Sequence, residues 1–212
     1  MVRRTKEDAL LTRNNLLDAA EQLFQAHGVS RTSLNDIARK AGTSRGAIYW
    51  HFKDKADLFN AMMERVTLPL EQVFHNVARQ STIEPLEGVR EALLEALHLI
   101  ATDERTRRVF EVATQKVEYV DELQAVRQRH LTVRNEFIVR VKQGLTLAAL
   151  NQKLPSIISM SVAAQGLHAM VDGLIQNWLL DTEGFGLAET GAQVIDIYLA
   201  GLGFKLAPRS RG

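Results

Sequence analysis

The sequence predicts an all-α fold, on three observations. Apolar residues recur at three- and four-residue spacing along almost the whole chain, no stretch sustains a period-two alternation, and only four prolines interrupt 212 residues. With 46% hydrophobic and 24% charged residues, the chain can bury one substantial core, or a small one beside a medium one.

The elements follow in order. Leu16, Ala20, Leu23 and Phe24 mark a first helix that stops at His27-Gly28, glycine being the usual left-handed cap. Ser33 then precedes Leu34, Ile37, Ala38 and Ala41, with Asp36 three residues on as in a capping box, so a second, short helix is expected up to Gly42. Thr43 and Ser44 can cap a third helix, Arg45 to Phe52, with Ala47 and Ile48 turned inward. A fourth starts near Lys55 on Leu58, Phe59, Met62, Met63 and Val66, and Pro69 predicts a kink or its end. Gln80 to Glu84 reads as a loop, and Pro85 suits the first turn of a helix running to about Thr102. Further helices are expected from about Glu104, from about Asp121 to Leu150, from about Ser156 to Leu180, and from about Leu187 to Phe204.

Composition excludes several classes. The absence of cysteine rules out disulfides and thiolate zinc sites. The opening MVRRTKEDALLTRNN has no apolar h-region and no small-residue cleavage site, so it does not read as a secretory signal, and a cytoplasmic location is expected. The apolar window from Ile157 to Leu180 carries Gln165, His168, Asp172, Gln176 and Asn177, which favours a buried helix over a membrane span. Charge is uneven: residues 1–57 hold ten Lys plus Arg against seven Asp plus Glu, residues 58–212 sixteen against eighteen. Only the amino-terminal end invites a polyanion.

The stretch TSRGAIYWHF, residues 43–52, concentrates three of the chain's thirteen aromatics at Tyr49, Trp50 and Phe52, beside Arg45, His51 and two hydroxyls. Two short helices joined by a three-residue turn containing glycine form a helix-turn-helix pattern. A helix entering a major groove about 12 Å wide needs small or long, thin residues at its leading end. Ser44, Gly46 and Ala47 are small, and Arg45 can offer two donors to a guanine edge. Gly46 costs roughly 1 kcal/mol of helix propensity against alanine, which close approach to DNA or tight packing on the first helix could offset. Tyr49, His51, Lys53 and Lys55 are placed to hold phosphates, and Thr43 stands beside the N-cap. Thr32 and Ser33 can present hydroxyls and amides to a further phosphate or simply cap the helix. Phe52, four residues after Ile48, belongs to the core; Trp50 can go either way.

The segment from about Thr12 to Val66, including AEQLFQAHGVSRTSLNDIARKAGTSRGAIYWHFKDKADLF, strongly resembles the DNA-binding domain of TetR-family transcriptional repressors. The opening VRRTKEDA and the later RTRR and VDGLIQNWLL are similar to the AcrR-like and TtgR-like branch, whose members repress multidrug efflux pump operons. The resemblance implies a helix-turn-helix DNA-binding domain over residues 10–66 and a larger helical ligand-binding and dimerisation domain over 67–206. It implies a homodimer on double-stranded operator DNA, released by a small apolar or amphipathic effector, with no cofactor and no membrane partner. A TetR-type regulator of another pathway, an activator, or an architectural DNA-binding protein are the neighbouring readings.

The larger part carries no catalytic motif, which weighs against a helical enzyme or carrier with a vestigial helix-turn-helix. Glu95-x-x-His98 has the spacing of half a di-iron site but no second copy, and the six histidines never pair at helical spacing. Asp172 stands in the apolar run AMVDGLIQNW, where a carboxylate is either satisfied internally or offered to a ligand. In the efflux-repressor branch this position resembles the polar floor of a drug pocket, which would add Phe110, Thr114, Phe137, His168, Val171 and Gln176. Leu187, Val194, Ile195, Tyr198, Leu199 and Leu202 give the last helix an apolar face, for an internal core or for a dimerising four-helix bundle.

Overall fold

The computed structural model describes residues 6–80, 84–118, 123–155 and 158–208, with side chains placed for all of these except 69–80. Among them the regular elements are helices: α1 (Lys6–His27), α2 (Leu34–Lys40), α3 (Arg45–His51), α4 (Lys55–Gln80), α5 (Pro85–Thr102), α6 (Glu104–Gln115), α7 (Gln124–Asn151), α8 (Met160–Leu180) and α9 (Leu187–Gly201). They form two compact units, Met1–Leu68 with Arg105–Leu131, and Pro69–Glu104 with Thr132–Gly212.

In the first unit, α2 and α3 have seven residues each, too short to persist alone in water. They hold because each contributes anchors to one core. Ile37 and Ala38 from α2, Ile48 from α3 and Phe52 just after it pack with Leu16, Ala20 and Phe24 of α1 and Leu58, Phe59 and Met62 of α4. Full burial of such aliphatic and aromatic side chains stabilises by about 1.5–3 kcal/mol apiece.

The turns between them are chemically fixed. Gly28 ends α1 at φ +82° with its amide on the Phe24 carbonyl. Ser33 accepts from the Asp36 amide while the Asp36 carboxylate accepts from the Ser33 amide, the reciprocal box expected from the sequence. After α2, the Gly42 amide donates to Arg39 and the Thr43 amide to Ala38, a Schellman closure with Gly42 at φ +67°.

Charge docks α6 along α1. Arg105 reaches Asp18 at 3.0 Å and Glu21 at 3.5 Å, while Arg65 of α4 meets the same two carboxylates at 2.8 and 3.2 Å. Farther along, the Gln25 amide donates to Glu111 and the Val29 amide to the Lys116 carbonyl. Glu21 is fully buried, and its desolvation raises its pKa despite the neighbouring arginines.

The second unit packs α9 against α5 and α8. A side chain at Gly191 would collide with Leu97, and one at Gly166 with the hydroxyl of Tyr198, so these helix pairs meet at bare backbone. Arg90 of α5 is buried and forks onto both oxygens of Asp196 on α9, at 2.7 and 2.9 Å. Glu87 takes its remaining nitrogen at 2.9 Å.

Several expectations need correction. Of the kink or helix end expected at Pro69, the end is excluded, because α4 continues through it to Gln80; the proline removes one backbone donor without ending the helix. Helix α9 stops at Gly201, short of Phe204, because Gly203 adopts φ +93° and the Phe204 amide folds back onto Leu199. Leu187, Ile195 and Leu199 are buried within this unit, so that face of α9 is internal core. Helix α8 begins at Met160. Asp121, Ser156 and residues 81–83 of the expected loop lie outside the described residues.

Candidate nucleic-acid interface

Ser44 caps α3 by accepting from the Ala47 amide at 3.2 Å, and the Phe52 amide closes the other end on Ile48. Within these caps only one stripe points inward: Ile48 and Phe52 are buried, whereas Ser44, Arg45, Gly46, Tyr49 and Trp50 are exposed. Trp50 is 73% exposed, which settles its side in favour of the surface. Its ring meets His51 edge-on at 4.6 Å, and Arg45 lies over Tyr49 at 5.7 Å. Thr43 and Ala47 are half-buried beside this stripe.

Gly46 has open space around it. A side-chain carbon there would find only the Ser44 hydroxyl, 3.9 Å away. Tight packing on α1 therefore does not explain the glycine.

Beside α3 lies a hollow of about 390 Å³, walled by Ser30 to Asn35 on one side and by Tyr49 with Lys53 to Lys55 on the other. The Asp54 carboxylate accepts from the Asp57 amide and the Asp57 carboxylate from the Lys53 amide, fixing the turn that presents Lys53. In the cap of α2, Asp36 is held below the usual carboxylate range, first by the Ser33 hydroxyl and then by the Ser33 amide.

Two residues expected at phosphate face inward. Thr32 is buried, with its hydroxyl donating to the Gly28 carbonyl at 2.8 Å and its amide to Val29, so it closes the turn after α1. Lys55 is 7% exposed and its ammonium donates to the carbonyls of Ser30 and Thr32. The Ser33 hydroxyl is engaged in the cap, donating to Asp36 at 2.6 Å. Sequence reasoning missed Arg31 and Asn35, which line the hollow and are exposed; the signal available was their place on either side of the capping pair. It also missed Arg13, whose guanidinium lies 5.2 Å from the Phe52 ring at the end of α3.

The residues expected to bind an effector divide between the units. Phe110 packs on the core of the first, and Thr114 on the same helix spends its hydroxyl on the Phe110 carbonyl. In the second, Phe137 and His168 are brought together with ring centroids 5.6 Å apart. Asp172 accepts from the Gln176 amide at 2.6 Å, Gln176 is exposed, and Val171 is buried. Among the described residues no cluster of three or more His, Asp or Glu could hold a metal ion, and no helix is long and apolar enough to cross a membrane.

Residues 16–62 match the family described as bacterial regulatory proteins of the tetR family, and residues 84–204 match the C-terminal region of MAATS-type transcriptional repressors. The chain belongs to the TetR family. BepR of Brucella suis biovar 1 (strain 1330), an HTH-type transcriptional repressor, is 39% identical over 95% of this chain and 96% of its own. The structure of NalD, described as the secondary repressor of the MexAB-OprM multidrug efflux pump in Pseudomonas aeruginosa, matches with a TM-score of 0.81. Its identity is 35%, over 92% of this chain and 96% of that one. A complex of SmeT with triclosan gives the same TM-score at 30% identity, over 90% of this chain and 91% of that one. TetR-family membership makes this chain a helix-turn-helix transcriptional regulator and, with relatives named as repressors, not an enzyme.

Proposed function

We propose that the protein is a homodimeric, cytoplasmic repressor that controls a multidrug efflux operon and leaves its operator when a small apolar or amphipathic compound binds. The observation that carries the DNA-binding half is the surface of α3: an arginine, a bare glycine and two exposed aromatics stand on a helix whose opposite stripe is anchored in the core. Arg45 reads base edges, Tyr49, Trp50, His51 and Lys53 hold the backbone, and Gly46 admits the phosphodiester chain or a base edge at close range. Residues 10–66 form the DNA-binding domain, and 67–206 bind effector and partner.

The efflux assignment rests on the relatives, since NalD is a repressor of such a pump and SmeT has been captured with triclosan. The ring pair of Phe137 and His168 and the carboxylate of Asp172 supply an aromatic wall and a polar group of the kind such compounds need. Coupling runs through α6 as well as α4. Phe110 and Thr114 stand on the helix that Arg105 and Glu111 fasten to α1.

Dimerisation is supported by what the second unit leaves uncovered. Helix α8 exposes Val162 and Leu180 on a stripe with Gln165, Ala169 and Gln176, and α9 exposes Ile197 with Gln193 and Ala200. Pairing two recognition helices on half-sites about 34–36 Å apart supplies the sequence length that one helix lacks. Footprinting on the DNA upstream of the gene tests the proposal: a protected palindrome that an apolar antimicrobial compound uncovers supports it, and protection that no sequence limits contradicts it.

A further inference from the structure

A lysine is rarely buried unless its charge is matched. Lys55 is the first residue of α4, and its side chain passes beneath the hollow beside α3 to reach the carbonyls of Ser30 and Thr32, at 3.4 and 3.3 Å. Those carbonyls belong to the turn between α1 and α2, which carries Arg31 and leads into Ser33. The opposite wall is Tyr49 of α3 together with the turn from α3 to α4, which carries Lys53. The ammonium therefore ties one wall of the hollow to the other.

We propose that Lys55 is a positioning residue of the DNA interface: its buried ammonium sets the spacing of the two walls, so that Arg31 and Ser33 on one side and Tyr49 and Lys53 on the other meet successive phosphates together. The inference rests on the DNA-binding reading above. It differs from a phosphate contact by Lys55 itself, because the ammonium is already spent on backbone oxygen and the residue is 7% exposed. Lys53, exposed on the outer side of the same turn, is the internal comparison. Because Lys55 opens α4, a shift of that helix would pull on the α1–α2 turn, which gives the effector a route to the wall that α3 does not carry.

The test uses the full chain as wild type, Lys55→Met, Lys55→Arg and Lys53→Met. Affinity is measured on the upstream duplex and on a random duplex across a salt series, and amide hydrogen exchange is followed at residues 30–34 in the free protein. Lys53→Met should flatten the slope of log affinity against log salt by about 0.9, the signature of one lost phosphate contact. Lys55→Met should weaken binding to both duplexes by roughly tenfold, the scale of one lost charged hydrogen bond, with less than half of that slope change and faster exchange at residues 30–34. Lys55→Arg should restore most of the affinity and the protection. If Lys55→Met does not fold, Lys55→Gln replaces it with the same expectations.

A slope change for the Lys55 variant as large as that for Lys53 would overturn the proposal in favour of a direct phosphate ligand. So would unchanged exchange, or faster exchange with unchanged affinity. A wild type that does not prefer the upstream duplex would count against the regulator reading instead, while the slopes on random DNA and the exchange rates still decide the role of Lys55.

Discussion

The guanidinium of Arg45 lies over the ring of Tyr49, one turn farther along α3, at 5.7 Å from its centre. The contact lets the ring restrict the arginine before DNA arrives, at a gain of about 0.5–1 kcal/mol for an exposed pair. Arg45→Ala should cost about 1–3 kcal/mol on the operator and relax base preference at one position of each half-site. Competition binding against random DNA checks this. Equal losses on both would show that the arginine holds backbone and reads no base.

Gly46 separates stability from binding. Since a methyl there meets nothing closer than the Ser44 hydroxyl at 3.9 Å, Gly46→Ala should stabilise the free protein by up to about 1 kcal/mol through helix propensity. The same methyl should weaken operator binding. Thermal melting and DNA titration on one preparation would reveal it, and an alanine variant that binds as well as wild type would remove the close-approach role.

Helices α8 and α9 meet at Gly166 and Tyr198, whose hydroxyl donates to the Ala163 carbonyl at 2.8 Å. Gly166→Ala should destabilise by about 1–3 kcal/mol because its methyl needs the hydroxyl's place. Tyr198→Phe alone should cost about 1 kcal/mol. Combined, the pair should cost less than the sum by roughly 1 kcal/mol, a coupling that urea denaturation of the four proteins measures.

Arg90 and Asp196 join α5 to α9 through a two-bond fork on a buried guanidinium. Arg90→Met should cost about 3 kcal/mol, since it removes the buried cation that faces both Asp196 and Glu87. Denaturant melts report the loss, and Asp196→Asn should recover part of it in the Arg90→Met background.

Two carboxylates make opposite contributions with pH. The Asp36 pKa is lowered from its ordinary 3.8 by Ser33, so its stabilisation is complete above that value and disappears as pH falls through the depressed one. The Glu21 pKa is raised from 4.5, chiefly by burial, so its contribution is complete below 4.5 and is lost as pH rises through the elevated one. Glu21→Gln should therefore gain stability relative to wild type on going from about pH 4.5 towards neutrality. A stability difference that stays constant over that range would contradict the assignment.

The parts of the fold that local chemistry decides were legible in the sequence. Ser33 with Asp36, Gly28, Gly42 and Ser44 each fix a turn through groups a few residues apart, and the helical spacing of Leu16, Ala20 and Phe24 names the core face of α1. Residues whose role depends on distant backbone were not legible. Lys55 reads as an exposed polar group, but carbonyls 23 to 25 residues away claim its ammonium. The face of α9 stayed open between internal core and dimer for the same reason: Ile195 and Leu199 meet partners within their own unit, while Ile197 stands exposed between them. Spacing alone does not tell an internal stripe from an external one when both are apolar.

The measurement that tests the central claim most directly is fluorescence-anisotropy titration of the purified protein with the duplex upstream of its gene, against random duplex, with and without apolar antimicrobial compounds. The account predicts a strong preference for the upstream duplex that Arg45→Ala reduces and that at least one compound abolishes at saturation. Equal affinity for both duplexes would contradict sequence reading by α3, and operator affinity unchanged under every compound shown to bind the protein would contradict release by effector.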